Sequence, residues 1–340
     1  MHLYFVFSLC SLASASPALH SRVIKSNDSV PVANLTAAKK PAPGEVPRWI
    51  KELEPLGQFK LFDRLANDVS MSVAEAIRQF SGLTYDAIAN GSLNPQNETY
   101  STFPGKTWES LIEVAMRTPP EKQTKLAEFA VQVQKTTVTD PKTGGMMKHD
   151  GALLWAEMPA LDLTVWDQWE SIDTHERDRK ERPEDLRRQE RFIALIAQIS
   201  SAATIDYSKQ SVHDLDFTTY SQGAFNIAFK TIGDHVPTDS DIRTACIWLT
   251  YAPQRIWANI HYGKVYGDQH FTAGAVYVQG NWDSWKENLQ RLKKSCRDQE
   301  ICEMLRVALE KMQATETSRS EGDGKKPTGV ATSGWQYFRH

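Results

Sequence analysis

The stretch KTWESLIEVAM, Lys106–Met116, decides how this chain folds. Trp108, Leu111, Ile112, Ala115 and Met116 recur at intervals of three and four, the spacing that gathers side chains on one face of an α-helix. Pro119-Pro120 ends the run, because proline lacks the amide and the clearance to continue a helix. The same period returns downstream in EKQTKLAEFAVQVQ, with Leu126, Phe129, Ala130 and Val133 on one face. Upstream, SVAEAIRQF opens with Ser72 and Glu75 at capping-box spacing, where two side chains satisfy otherwise orphaned backbone amides.

Further out, the longest helix is predicted from Pro183 to Ile205, with Leu186, Phe192, Leu195, Ile196 and Ile199 on one face. DFTTYSQGAFNIAFKTI follows, and then SDIRTACIWLTYAPQRIWANIHY, expected to kink at Pro253. The last two predicted helices are WDSWKENLQRLKK and QEICEMLRVALEKMQ. Strand signals are confined to GAVYVQG around Val276, too little to build a sheet. The expectation is an all-α, multi-helix globular domain over residues 48–313, arranged as two helical halves, between a flexible linker at 16–47 and a disordered tail at 314–340.

A Trp-Asp-x-Trp pattern occurs twice, in VWDQWE at Val165–Glu170 and NWDSWKE at Asn281–Glu287. Thr164 and Asn281 are placed to cap the two helices, with Asp167 and Asp283 in the first turns, at the positive end of the helix dipole. Trp166 and Trp169, like Trp282 and Trp285, share a helical face and are expected to be turned inward as core anchors. An exposed aromatic platform for a partner is the functional alternative.

Composition narrows the class. Of 340 residues, 41% are hydrophobic and 24% charged, with 39 Lys and Arg against 42 Asp and Glu for a formal net charge of −3. No basic excess recommends nucleic acid as a partner. The most highly charged segment, Thr174–Arg191, mixes both signs and reads as a solvated connection into the next helix. The apolar run from Leu3 to Leu12 is too short to span a membrane. Followed by Ala13-Ser14-Ala15, it predicts a signal peptide over residues 1–15 and a secreted protein. The leader has no Lys or Arg before its apolar run, which makes a cytoplasmic chain the alternative. Asn-x-Ser/Thr sequons at Asn27, Asn34, Asn90 and Asn97 fit the secretory route as glycosylation sites. Cys246 lies in an apolar helical run and reads as a buried small hydrophobe. Cys296 and Cys302 bracket a turn, where a local disulfide and two free thiols are both open.

No chemical constellation stands out. Gly105-Lys106-Thr107 matches the end of a phosphate loop, but Tyr100 occupies the position of its leading glycine, so Thr107 is read as part of a turn and cap. The histidines include no pair at i, i+4; His261 and His270 flank one loop, and two imidazoles are too few to hold zinc. Asp239 and Asp241 read as helix-start residues. No metal, cofactor or catalytic residue is assigned. For a hydrophobic ligand, Trp248, Tyr251, Trp257 and Tyr262 near Pro253 are the candidate lining of an aromatic pocket.

The segments GALLWAEMPALDLTVWDQWES, DFTTYSQGAFNIAFKTI, ACIWLTYAPQRIW and AGAVYVQGNWDSWKENLQRL together resemble an uncharacterised fungal family, domain of unknown function 3632, over about residues 60–313. The resemblance implies a largely helical domain with no established activity or site, in a family whose genes often lie near those of secondary metabolism. Gly223 stands where many members carry Asn, and the signal-like leader is a second departure. The functional expectation is a non-catalytic accessory or interaction protein of the secretory pathway, with an unknown protein or a small hydrophobic ligand as partner. The rival expectation is a helical enzyme acting on a hydrophobic metabolite.

Overall fold

The computed structural model describes residues 48–94, 102–171, 183–208, 213–229, 236–264 and 279–320. The leader, the linker, the strand expected around Val276 and the end of the tail from 321 onward lie outside these residues. So does most of the charged connection before Pro183.

Twelve α-helices occur among the described residues, as the 3.6-residue periods require: α1 (Arg48–Leu53), α2 (Gly57–Asn67), α3 (Val73–Ala89), α4 (Phe103–Arg117), α5 (Thr124–Val133), α6 (Leu161–Glu170), α7 (Pro183–Ala202), α8 (Thr219–Phe229), α9 (Asp239–Tyr251), α10 (Pro253–His261), α11 (Gln279–Ser295) and α12 (Gln299–Ser320). The only strands described, β1 (Lys148–His149) and β2 (Ala152–Leu153), form a minimal antiparallel hairpin. Its turn, Asp150-Gly151, has positive φ at both residues, which Asp-Gly adopts at low cost.

Helix α7 is the spine. Its residues Phe192–Ala197 are all buried, with Ile199 and Ser200, so it packs on more than one side. Helices α4, α5, α9 and α10 lie against it; α2 and α3 pack on the first two of these, and α8, α11 and α12 on the last two or on one another. The first group closes around an aromatic cluster in which Phe80 meets Phe129 at 5.3 Å and Trp155 at 4.8 Å between ring centroids, and Trp108 meets Trp155 edge-on at 5.7 Å. Trp108 donates its indole N–H to Pro159 O at 2.9 Å. Trp155 is held at φ 63°, a left-handed conformation costly for a bulky residue, and Met158 and Ala160 share that region. The hydrophobic side chains of this irregular segment are thereby turned into the core, which offsets the backbone strain.

Several polar groups inside are matched to one another. Gln123, fully buried, donates its amide to the carbonyls of Ala115, Thr118 and Arg191, closing the end of α4 onto α7. Glu113, whose side chain has no exposed surface, accepts from Arg117 and Arg188 at 2.7 Å each. Arg243 grips Glu190 through two nitrogens and reaches Glu300 at 2.8 Å.

Several local expectations change. Thr164 does not cap α6, because the helix begins earlier, after Ala160 at φ 66°; the Thr164 hydroxyl instead donates back to Ala160 O at 2.6 Å. Asn281 is likewise inside α11, which includes Gln279, and Asp283 accepts from Gln279 at 3.1 Å. Thr107 sits within α4 and donates to Phe103 O. Pro253 breaks the chain rather than kinking it, since Ala252 has φ −131° and ψ 32° between α9 and α10. Ser72 caps α3, but Glu75 turns to Gln79 instead of completing the box. The full capping box belongs to Thr238 and Asp241 at the start of α9. Finally, α12 runs to Ser320 rather than ending at 313, held by buried Met312 and Thr315.

Candidate functional site

The two Trp-Asp-x-Trp helices are used differently. In α11, Trp282 and Trp285 are buried, with Trp282 edge-on to Trp257 at 4.9 Å and Trp285 on Phe225 at 4.3 Å. In α6, Trp166 and Trp169 are only half-buried, so the expectation of two inward pairs holds for the second copy alone. Helix α6 has an apolar underside of Leu161 and Val165 against the body and presents Leu163, 63% exposed, to solvent.

Trp169 forms one wall of a cavity of about 60 Å³ whose other walls come from α7, α8 and α9. Its apolar lining is Leu186, Ile193, Ala224 and Ile227, and its polar lining includes Glu190 and Asp241. Ile227 is 38% exposed at the rim. Gly223, one turn before it on α8, leaves open space where a Cβ would stand. Tyr220 packs on Trp169 at 4.8 Å with the rings tilted by 50°, and burial, then the negative charges of Asp162 and Glu170, push its phenol above the ordinary range. Both carboxylates belong to α6, the helix that carries Trp169. The result is an apolar slot with an acidic edge.

The four aromatics singled out from sequence do not converge. Trp248 is buried in the core with no partner for its indole N–H among the described residues, Trp257 packs on Trp282, and Tyr262 packs on Tyr207 at 4.4 Å. Tyr251 is half-buried, and burial raises its phenol pKa. None of the four lines the Trp169 groove. Cys296 and Cys302 are joined as a disulfide between α11 and α12, and Cys246 is a buried free thiol held protonated, with its pKa pushed up to about 12 by burial. Asn90 is exposed at the end of α3, its side-chain Oδ1 accepting from the Ser92 amide at 3.0 Å and hydroxyl at 2.6 Å; Asn27, Asn34 and Asn97 lie outside the described residues. His261 ends α10 and His270 is likewise undescribed. Among the described residues no cluster of three or more His, Cys, Asp or Glu is arranged to hold a metal ion.

A polar centre that sequence reasoning missed ties α7, α8 and α10 together. Tyr207 donates to Asn259 at 2.8 Å and accepts from Arg255 at 2.9 Å; Asn259 donates to Thr218, whose hydroxyl donates to Asp216 at 2.6 Å. Arg255 also donates to the carbonyls of Ser200 and Ala203. Burial lowers the Lys264 pKa, opposed by Asp216, and burial raises that of Tyr207 to about 12. Its members are spread over more than fifty residues of sequence without a motif, so no local signal reports it. With its groups bonded to one another, this centre serves as a structural knot.

No helix among the described residues is long and apolar enough to cross a membrane. Neither a curated protein nor a solved structure matches the chain. The family comparison does match, from Trp108 in the aromatic core to Lys293 in α11, taking in the groove and the polar centre. With residues 108–293 covered, more than half of its length, the chain belongs to the family described as protein of unknown function DUF3632.

Proposed function

We propose that this is a non-catalytic interaction protein whose groove between α6, α7, α8 and α9 receives one apolar side chain from a basic segment of a partner polypeptide. The observation that carries this reading is the pairing of an apolar slot, walled by Trp169, Leu186, Ile193 and Ile227, with two carboxylates in its lining, Asp241 and an Arg243-bound Glu190. Size decides against a metabolite. Small-molecule pockets span roughly 300–1,000 Å³, whereas this slot holds about 60 Å³, room for one aliphatic side chain. Acidic surroundings select lysine or arginine on either side of that anchor through complementary charge.

The reading is tested by fluorescence anisotropy of the full chain with a fluorescein-labelled peptide carrying leucine between lysines. Binding is expected, weakening as salt rises, and Trp169→Ala or Ile227→Asp is expected to reduce it by about tenfold or more, as for a central anchor contact. Equal binding of the same peptide with glutamates in place of lysines, or indifference to both substitutions, would contradict it.

The leader and the sequons support a secretory location for this interaction, and exposed Asn90, with Ser92 folded against it, is the accessible acceptor among the described residues. Expression of the full chain in a fungal host should yield a shortened, endoglycosidase-sensitive protein in the medium. Full-length material retained in the cytoplasm would overturn both the location and the glycosylation.

A further inference from the structure

The Cys296–Cys302 bond ties the end of α11 to the first turn of α12, and Glu300 lies between the two cysteines. We propose that this pair is a reversible thiol–disulfide exchange site whose oxidised form strengthens the groove's hold on a basic partner, acting through Glu300, Arg243 and Glu190. The inference rests on the docking role of the groove and adds its regulation.

The contacts form a continuous relay. Asp298 shapes the turn, its side chain accepting from the Ile301 amide at 3.0 Å and its carbonyl from the Cys302 amide at 2.9 Å. With the cysteine Cα atoms held 5.7 Å apart, the first turn of α12 is fixed against the end of α11, where Glu300 meets Arg243 at 2.8 Å. Arg243 in turn grips Glu190, which lines the groove. Exposure separates the two links. The Arg243 and Glu190 side chains are only 11% and 13% exposed, so their pair persists, whereas Glu300, at 56%, is held by an ion pair that solvent weakens. Once the sulfur bridge opens, the turn frays and the Glu300 contact is lost first.

Charge then gives the sign. With Glu300 in place, two carboxylates share one guanidinium and leave one negative charge beside the slot; without it, Arg243 and Glu190 cancel. A basic partner therefore binds the oxidised form more tightly.

The placement suits exchange. The cysteines are only 6 positions apart, and so short a loop constrains the unfolded chain less than a long one would, which keeps the effect of the bridge local. Both are half-buried, within reach of solvent, and exposed Lys293, Lys294 and Arg297 beside Cys296 attract an incoming thiolate. A thiolate of a dithiol reductant attacks Cys296 Sγ; the S–S bond breaks and its electron pair leaves on Cys302 Sγ, in the turn where the positive end of the α12 dipole favours a thiolate. The second thiol of the reductant then displaces Cys296, so that the dithiol ends as a disulfide and both cysteines as thiols. The reverse exchange with a protein disulfide closes the bridge in an oxidising compartment, in keeping with the secretory location proposed above.

Two measurements on the full chain test this. Fluorescence anisotropy with the leucine–lysine peptide compares the wild-type chain and Glu300→Gln, each oxidised and reduced. Reduction is expected to weaken the wild-type chain by about fivefold or more, a typical coupling between linked sites, and Glu300→Gln is expected to be equally weak in both states. The second measurement needs no peptide. After equilibration in graded ratios of reduced to oxidised dithiothreitol, alkylation and mass spectrometry report the fraction bridged, and Glu300→Gln should be about threefold or more easier to reduce, because coupling is reciprocal. If that redox difference is found while the peptide binds no sample, the exchange site linked to Glu300 stands and the docking role falls. The inference is overturned by measurable but equal peptide affinity in the two redox states, by reduction weakening Glu300→Gln as much as the wild-type chain, or by a redox equilibrium that Glu300→Gln leaves unchanged.

Discussion

Trp282→Ala is expected to lower the free energy of unfolding by about 3–5 kcal/mol, the usual cost of deleting a fully buried large aromatic side chain. Three losses combine. The indole has no exposed surface, and its removal opens a cavity that α10, α11 and α12 are too rigidly packed to fill. Its edge-on contact with Trp257 at 4.9 Å disappears. Its N–H no longer meets Glu316 Oε1 at 2.8 Å, the bond that ties the late turns of α12 to α11. Lys286 holds the other oxygen of Glu316 at 2.6 Å, so that carboxylate keeps one partner and α12 loosens rather than detaches. Urea unfolding followed by circular dichroism should show a lower midpoint with an unchanged slope. Trp282→Phe, which retains a ring against Trp257, should lose clearly less.

The second large effect centres on Glu113. Its carboxylate is wholly inside, whereas Arg117 and Arg188 reach it from partly exposed positions. Removing both cations by Arg117→Met and Arg188→Met strands a buried charge and is expected to cost about 3–5 kcal/mol, because the desolvation of Glu113 is no longer compensated. Glu113→Leu should cost much less, since both guanidinium groups can turn to water. Arg117 also retains Glu54 at 2.9 Å. Adding Glu113→Leu to the double arginine variant should restore most of the loss, as apolar replacement of an entire buried ionic group is often neutral. Chemical unfolding of the four proteins checks this; equal losses for Glu113→Leu and the arginine pair would show that packing, not charge, dominates at this site.

Legibility in the sequence followed the range of the interactions. Helices α4, α5 and α7 are readable because a 3.6-residue apolar period is a local signal, and the start of α9 because acids such as Asp239 and Asp241 in a first turn are one too, although the full Thr238–Asp241 box is seen only in the structure. The caps at Thr164 and Asn281 were misplaced because capping rules assume an extended residue before the helix, whereas α6 follows a left-handed Ala160. The aromatic set at Trp248, Tyr251, Trp257 and Tyr262 failed as a lining because the break at Ala252 separates α9 from α10, leaving Trp248 in the core and Trp257 on Trp282. The last turns of α12 read as tail in the sequence because TETSRS is poor in apolar residues; besides buried Met312 and Thr315, what holds them are bonds to Glu316 from Trp282 and Lys286, 34 and 30 positions away. The groove does not announce itself. Trp169, Glu190, Ile227 and Asp241 meet only once four helices have packed.

One repeated pattern serves two ends: a core anchor in α11 and, under the proposed function, a half-buried wall of the docking groove in α6. Side-by-side urea unfolding of Trp169→Ala and Trp282→Ala tests this most directly. The account predicts that Trp169→Ala keeps at least about 2 kcal/mol more stability than Trp282→Ala, in proportion to the area each indole removes from water. Equal losses for the two variants would mean that both indoles are core, and the groove as a docking site would fall with that result.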